Sequence, residues 1–172
     1  MSQPNIIVLG LGNLLLGDEG LGIRALESLQ ARYELPGEIT CLDGGVMGLE
    51  LLAYLTGTTH LLVIDAIETG QPPGTLVRLE GEQIPKTLSQ KLSLHEISFQ
   101  DLLALNELRG MAVPHLVVWG LVPAFLDPGV RLSEPVEVQL DTLVEAVIGE
   151  LQNWGITPSS RSTLVESASR SV

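Results

Sequence analysis

A repeated alternation between short, wholly apolar segments and longer amphipathic ones constrains this chain most. The first apolar segment, residues 6–9, is closed by Gly10. The clearest later ones are residues 61–64, within the predicted strand of residues 60–65, and residues 116–119. Continuous apolarity without alternation predicts strands that are buried on both faces, as in a parallel sheet. Apolar residues at helical spacing follow the first of these strands, over residues 21–29. We therefore predict an α/β fold, a three-layer sandwich in which helices cover both faces of a mostly parallel twisted sheet.

The remaining elements follow from the same patterns. Residues 38–42 and 74–80 are further predicted strands, and the first helix is expected to end at Pro36-Gly37. Ser98-x-x-Asp101 resembles a capping box. The other predicted helices span residues 49–53, 99–109 and 136–154. Residues 1–156 are predicted to form a single α/β domain, and residues 157–172 a Ser-rich, weakly ordered tail.

Charge and composition exclude several classes of function. The chain has 21 acidic residues against 9 Lys and Arg, a net charge of −12, which argues against binding to nucleic acid or to an anionic membrane surface. No apolar run is long enough to span a bilayer, and no signal peptide is evident, so we expect a cytoplasmic protein. With aromatic residues at only 3%, we also expect a monomer. A single cysteine, Cys41, excludes an internal disulfide framework, and its position within a strand predicts a small buried hydrophobe.

The carboxyl ends of the predicted strands are where chemistry is expected. In open α/β sheets the ligand crevice lies outside these ends. The loop after the first strand carries Asp18 and Glu19 among several glycines, and Asp65 ends the strand of residues 60–65. If these two strands are neighbours, about 5 Å apart, the loop and Asp65 meet at one edge of the sheet.

Each of these residues also has a purely structural interpretation. Asp18 could cap the helix that follows it, and Glu19 could interact with the dipole of that helix. Asp65 follows an apolar strand with four apolar residues directly before it, where an unpartnered carboxylate would be costly, so a role in a site is favoured. His60 and His115 each open a strand at the opposite, amino edge.

His95 lies just before the predicted helix of residues 99–109 and is the remaining histidine. Its position alone does not decide whether it reaches the carboxyl edge. Two carboxylates and an imidazole would suit a borderline divalent metal such as nickel or zinc, with positions left open for water or substrate. Since this set has no thiolate, a substrate that brings the metal with it would compensate for modest affinity.

Several motifs then coincide in chain order. Residues 10–22 read Gly-x-Gly-Asn-x-Leu-x-x-Asp-Glu-Gly-x-Gly. Three further motifs follow in order: Asp43-Gly44-Gly45, residues 60–66 and Ser93-Leu94-His95. Over residues 6–154 the chain resembles the nickel–iron hydrogenase maturation endopeptidases. The resemblance implies the same three-layer fold and removal of a C-terminal extension from a hydrogenase large-subunit precursor after nickel insertion.

The resemblance also implies a set of site residues. Glu19, Asp65 and His95 would contact the nickel, which the precursor would supply rather than the protease hold permanently. Asp18, Glu19 and Asp65 are the candidate catalytic residues. Nickel would act either as a Lewis acid beside the scissile bond or only as a recognition element, with one carboxylate as general base.

Two other classes of function are considered. A phospho-receiver domain also has acidic residues after its first and third strands, but its acidic pair follows the first strand directly and it needs a lysine at the end of a late strand. A nucleotide-binding module is suggested by Gly10-x-Gly12, but Leu15 stands where the third glycine of that fingerprint belongs. Asp18 and Glu19 would also repel a phosphate at the start of the helix.

Overall fold

The computed structural model describes residues 4–45, 47–81, 83–84 and 99–162. Its strands are β1 Ile6–Gly10, β2 Tyr33–Glu34, β3 Ile39–Asp43, β4 His60–Ala66, β5 Leu76–Glu80, β6 His115–Leu121 and β7 Ser159–Ser160. The helices used below are α1 Leu21–Arg32, α2 Leu51–Leu55, α3 Phe99–Leu108, α4 Glu134–Glu137 and α5 Leu140–Asn153. Two short 3-10 helices, Gly17–Gly20 and Gly48–Glu50, precede α1 and α2.

Five of the strands form one sheet in the order β3-β1-β4-β6-β5. The pairs β1–β3, β1–β4 and β4–β6 are parallel, and the edge strand β5 runs antiparallel to β6. The predicted mostly parallel sheet is confirmed. The predicted proximity of β1 and β4 is confirmed as well, with Gly10 opposite Ile64 and Asp65 opposite Gly120.

The core divides into two halves, one on each face of the sheet. Alternate residues of β1 and β4, such as Val8 and Ile64, pack with apolar residues of α1 and α5. The intervening residues, such as Leu9 and Val63, pack with α2 and α3 on the other face. Strands buried on both faces explain why their sequences are continuously apolar, and the three-layer sandwich is confirmed.

Two helix boundaries differ from prediction. α1 ends at Arg32 rather than at Pro36, because Tyr33 and Glu34 become extended and pair with β7. The predicted closing helix is divided into α4 and α5. The Gln139 N–H donates to the Val136 carbonyl, three residues back, and this tight turn interrupts the helical hydrogen-bond pattern before α5 begins.

Other predictions concern the tail and single residues. The boundary at residue 156 stays a prediction, and within the proposed tail Ser159–Ser160 forms the short antiparallel pair with β2. Cys41 is half-buried in β3, against the core on the α1 side. Ser98 of the proposed capping box lies outside the described residues. Within the described ranges, no helix combines the length and the hydropathy required to cross a bilayer.

Candidate active site

The loop between β1 and α1 folds back on itself at Gly12. The φ of Gly12 is +123°, a conformation that favours glycine, and a Cβ there would lie 1.7 Å from the carbonyl oxygen of Glu19. The Asn13 N–H donates to that same carbonyl at 3.2 Å. Only glycine permits the Glu19 carbonyl to approach the backbone of residue 12 this closely. Gly12 therefore determines the position of the Glu19 backbone.

The start of α1 lies directly against the ends of the central strands. A Cβ on Gly22 would lie 2.2 Å from the carbonyl oxygens of both Ile64 and Leu11. The Leu11 N–H donates to the Ile64 carbonyl at 2.9 Å, so the loop continues the hydrogen bonding of β1 with β4. The 3-10 helix that carries Asp18 and Glu19 therefore contacts β4, the strand of Asp65, as predicted.

The loop after β3 adds a second glycine-mediated contact. A Cβ on Gly45 would lie 2.4 Å from the Gly12 carbonyl oxygen, and the Gly44 N–H donates to the Gly10 carbonyl at 2.8 Å. The Asp43 carboxylate accepts a hydrogen bond from the Gly45 N–H at 3.0 Å, which shapes its own turn. The Asp43-Gly44-Gly45 motif thus supports the first loop.

Asp18 is fully buried, with 0% of its surface exposed. One carboxylate oxygen, Oδ1, accepts the Ser133 N–H at 2.7 Å. The other, Oδ2, accepts the Ser133 hydroxyl and the Ala124 N–H, both at 2.7 Å, and the Phe125 N–H at 3.3 Å. The proposed role as a cap of α1 is therefore wrong, since Asp18 instead joins the first loop to the segment between β6 and α4.

Glu19 and Asp65 are the two predicted metal-contacting carboxylates, and both lie at the carboxyl edge of the sheet. Glu19 is half-buried, and its side chain accepts no hydrogen bond from any residue that the structure describes. Asp65 is 2% exposed, and its Oδ1 accepts the Ala66 N–H at 2.8 Å. A half-buried carboxylate on a turn that contacts the strand of a buried one has the chemistry to bind a cation or accept a proton.

The histidines occupy two different parts of the chain. His60 and His115 open β4 and β6, and their rings stack at 4.4 Å between centroids at the amino edge, as predicted. His95, the third predicted metal contact, lies outside the described residues. Among the residues described, no group of three or more His, Cys, Asp or Glu side chains is arranged to hold a metal ion.

The structure also argues against phospho-receiver chemistry and against Cys41 as a nucleophile. Gly120 stands opposite Asp65 on β6, and Leu121 ends that strand, so the lysine that a phospho-receiver needs is absent there. Burial raises the pKa of the Cys41 thiol to about 11, which keeps it protonated at neutral pH and removes it as a nucleophile.

The partners of Asp18 are the functional feature that the sequence did not indicate. They lie 106 to 115 residues away along the chain, in a segment without a helical or strand pattern. Pro123 and Asp127-Pro128-Gly129 marked that segment as a loop. No local signal showed which residue it would contact.

The chain was compared with known proteins. A family model for hydrogenase maturation proteases matches residues 23–150. The hydrogenase expression/formation protein HupD of Bradyrhizobium diazoefficiens is 40% identical over 172 residues, covering 98% of this chain and 90% of that protein. The hydrogenase 2 maturation protease of Escherichia coli is 35% identical over 160 residues, covering 92% of this chain and 98% of that protein.

Solved structures give the same result. The hydrogenase maturating endopeptidase HybD of E. coli superposes with a TM-score of 0.87 at 36% identity, covering 92% of this chain and 99% of that chain. The [NiFe] hydrogenase maturation protease HybD of Thermococcus kodakarensis has a TM-score of 0.62 at 26% identity, with coverages of 83% and 96%. This chain therefore belongs to the hydrogenase maturation protease family and is a hydrolase that cuts a peptide bond.

Proposed function

We propose that this protease removes the C-terminal extension of a nickel–iron hydrogenase large-subunit precursor after nickel has been inserted. The names of its relatives support a hydrogenase substrate, and the name of the Thermococcus relative specifies a [NiFe] hydrogenase. The observation that carries the proposal is the packing at Gly12 and Gly22, which holds the loop of Glu19 against the strand of Asp65. We further propose that the protein acts as a monomer in the cytoplasm.

The carboxylates at this edge fit a nickel ion that arrives with the precursor. The Glu19 carboxylate has no hydrogen bond from the described residues to lose, and Asp65 is held in place by its burial and by the Ala66 N–H. Together with His95 they would supply oxygen and nitrogen donors, which suit nickel. Since three protein donors leave positions open, ligands from the precursor would complete the coordination.

The proposed roles of the three acidic residues differ. Asp18 already accepts four hydrogen bonds, so we assign it the positioning of the loop that carries Glu19. Glu19 and Asp65 contact the nickel, and whichever of them faces the attacking water accepts its proton. The nickel serves as a recognition element that orients the cleavage site, and when bound it can also polarise the scissile carbonyl.

Replacing Glu19 with Gln tests the site. This change removes a negative charge and keeps the shape, and the Glu19 side chain makes no hydrogen bond with the described residues that the variant would lose. We expect Glu19→Gln to lower the rate of precursor shortening by at least about a hundredfold, with an unchanged unfolding midpoint in urea. The control is Glu27→Gln on the exposed face of α1, which should cleave at the wild-type rate. Wild-type cleavage by Glu19→Gln would remove Glu19 from the site.

The role of nickel is tested with precursors that carry different ions. Nickel-loaded, zinc-loaded and metal-free precursor are each incubated with the protease, and the shortened product is measured by mass spectrometry. We expect the product with nickel and none without metal. If precursors loaded with different ions bind equally well but their cleavage rates follow the Lewis acidity of the ion, the ion takes part in the chemical step and not only in recognition. Equal cleavage of metal-free precursor would contradict the proposal.

A further inference from the structure

Three large apolar side chains are exposed on the loops beside the proposed site. Leu15 is 65% exposed, Phe125 41% and Val130 62%. We call them the apolar ridge. Single exposed apolar residues are ordinary on a protein surface, but a group of them on adjoining loops is typical of an interaction site.

Backbone hydrogen bonds hold the two loops of the ridge together. The Gly129 N–H donates to the Leu15 carbonyl at 2.9 Å, and the Gly17 N–H donates back to the Gly129 carbonyl at 2.8 Å. The Phe125 ring covers Gly17 so closely that a Cβ there would lie 2.6 Å from ring atom Cε2. Val130 follows Gly129 directly, so the ridge is a fixed surface rather than a set of unrelated side chains.

The ridge continues into a cavity of about 540 Å³ between the loop before α4 and the start of α1. Its lining combines the exposed Val130 and Val138 and the buried Leu132 with four charged residues, Arg24, Arg131, Glu134 and Glu137. The Arg24 guanidinium donates a hydrogen bond to the Val130 carbonyl and so fixes this wall to α1. A cavity of this size next to an apolar ridge can receive side chains of an incoming peptide.

The ridge is also joined to the proposed site. The Glu19 N–H donates to the carbonyl of Leu16 at 3.1 Å, and Leu16 is bridged to Gly129. The Asp18 carboxylate holds the amides of Ala124 and Phe125 in the same segment. A substrate that presents a peptide bond at Glu19 therefore passes next to the ridge.

We infer that the apolar ridge docks an apolar stretch of the hydrogenase precursor beside the segment that is cut. This inference rests on the proposed function. A second copy of this chain seated on the ridge would instead cover the loop of Glu19 and block access to it. Burial of the ridge would contribute to precursor binding without taking part in the chemical step.

The double variant Leu15→Ser/Val130→Ser tests the ridge, because both side chains are exposed and neither has been assigned a role in the chemistry. We expect KM for nickel-loaded precursor to rise about tenfold with kcat within about twofold of wild type. The dissociation constant of the precursor, measured by calorimetry with the Glu19→Gln variant as background, should rise by a similar factor. The control is Leu108→Ser, which is 85% exposed at the end of α3, a helix that leads to the amino edge of the sheet, and it should change neither value.

The outcomes separate this inference from the proposed function. Precursor that binds the wild type but is never shortened would overturn the proposed function, while loss of binding in the double variant would still support the ridge. Unchanged KM and dissociation constant in the double variant, or no binding of precursor to the wild type, would overturn the ridge. So would a wild-type dimer in light scattering that the double variant converts to a monomer.

Discussion

Asp18 connects two segments that are far apart in the chain, and its chemistry explains why a carboxylate is needed. Four donors converge on its two oxygens, and all four are N–H or O–H groups. A carboxylate only accepts hydrogen bonds, so it satisfies every one of these donors. The burial of a charge is offset by these bonds, and the segment of residues 124–133 is held at the first loop.

Replacing Asp18 with Asn is expected to destabilise the protein by about 2 to 4 kcal/mol. In the Asn variant an NH₂ group, which donates hydrogen bonds, replaces one oxygen that accepts them. At least one buried donor therefore loses its acceptor. The free energy of unfolding in urea gives the measurement. Asp43→Asn serves as the control, because Asp43 is exposed and its one described hydrogen bond, to the Gly45 N–H, can be kept by the amide oxygen. Equal losses in the two variants would contradict this account of Asp18.

At the scale of elements, the contact of α1 with the ends of β1 and β4 decides the shape of the site. Gly22 lies in the first turn of α1, where its α-carbon faces the carbonyls of Leu11 and Ile64. Any Cβ would push the helix away from the sheet, and the 3-10 helix that carries Asp18 and Glu19 would move with it. Glycine is needed here for close approach rather than for an unusual φ.

The pair Gly22→Ala and Gly149→Ala separates this effect from helix propensity. Both glycines lie within helices, but a Cβ on Gly149 of α5 meets nothing within 4 Å. Gly149→Ala should therefore stabilise the protein by about 0.5 kcal/mol, as Ala does in an open helix position. Gly22→Ala should destabilise it by about 2 kcal/mol or more, because the overlap is with backbone atoms. Unfolding midpoints in urea provide the comparison, and a stabilised Gly22→Ala would refute the close approach.

At the largest scale, an ion pair between a buried glutamate and a half-exposed arginine connects the antiparallel edge of the sheet to a helix layer. Arg78 of β5 donates to both carboxylate oxygens of Glu150 on α5 at 2.9 Å. The indole N–H of Trp119 on β6 donates to the same carboxylate at 3.0 Å. The hydrogen bonds from the Arg78 guanidinium hold the pKa of Glu150 below its usual value, against the opposing effect of burial, and the Trp119 bond acts in the same direction.

This lowered pKa gives stability a defined dependence on pH. The contribution of the Glu150 carboxylate to the free energy of unfolding is fully present above the ordinary pKa of a glutamate, about 4.3. It is lost as the pH falls through the lower pKa that Glu150 has in the folded protein. Glu150→Gln should therefore lower the free energy of unfolding by about 2 kcal/mol near pH 7. As the pH falls towards about 3, the unfolding free energies of the variant and the wild type should converge. Urea unfolding at a series of pH values measures both.

A control for the ion pair is Glu145→Gln. Glu145 pairs with Arg32 but is exposed, so its loss should cost less than about 1 kcal/mol at neutral pH. If the difference in unfolding free energy between Glu150→Gln and wild type stayed constant down to about pH 3, the lowered pKa of Glu150 would not explain the stability that this residue contributes.

Local patterns in the amino-acid sequence were sufficient to assign the layers of the fold and the edge of the sheet at which the proposed site lies. Apolar runs such as residues 6–9 cannot be exposed on either face, so they require a covered parallel sheet, and such a sheet gathers its loops at the carboxyl edge. Asp65 could be assigned to that edge because it ends such a run, and Glu19 because it follows the first strand. These inferences depend only on local pattern.

The partners of Asp18 and the surface beside the proposed site depend on the tertiary structure. Local pattern allowed a helix cap as well as a catalytic role, but the carboxylate contacts Ser133, 115 residues away, and no periodicity encodes such a partner. The break between α4 and α5 and the pairing of Ser159–Ser160 with β2 were also invisible in the sequence. The physical reason is the same in each case: side-chain chemistry says that a group needs partners, but the folded chain decides which distant groups supply them.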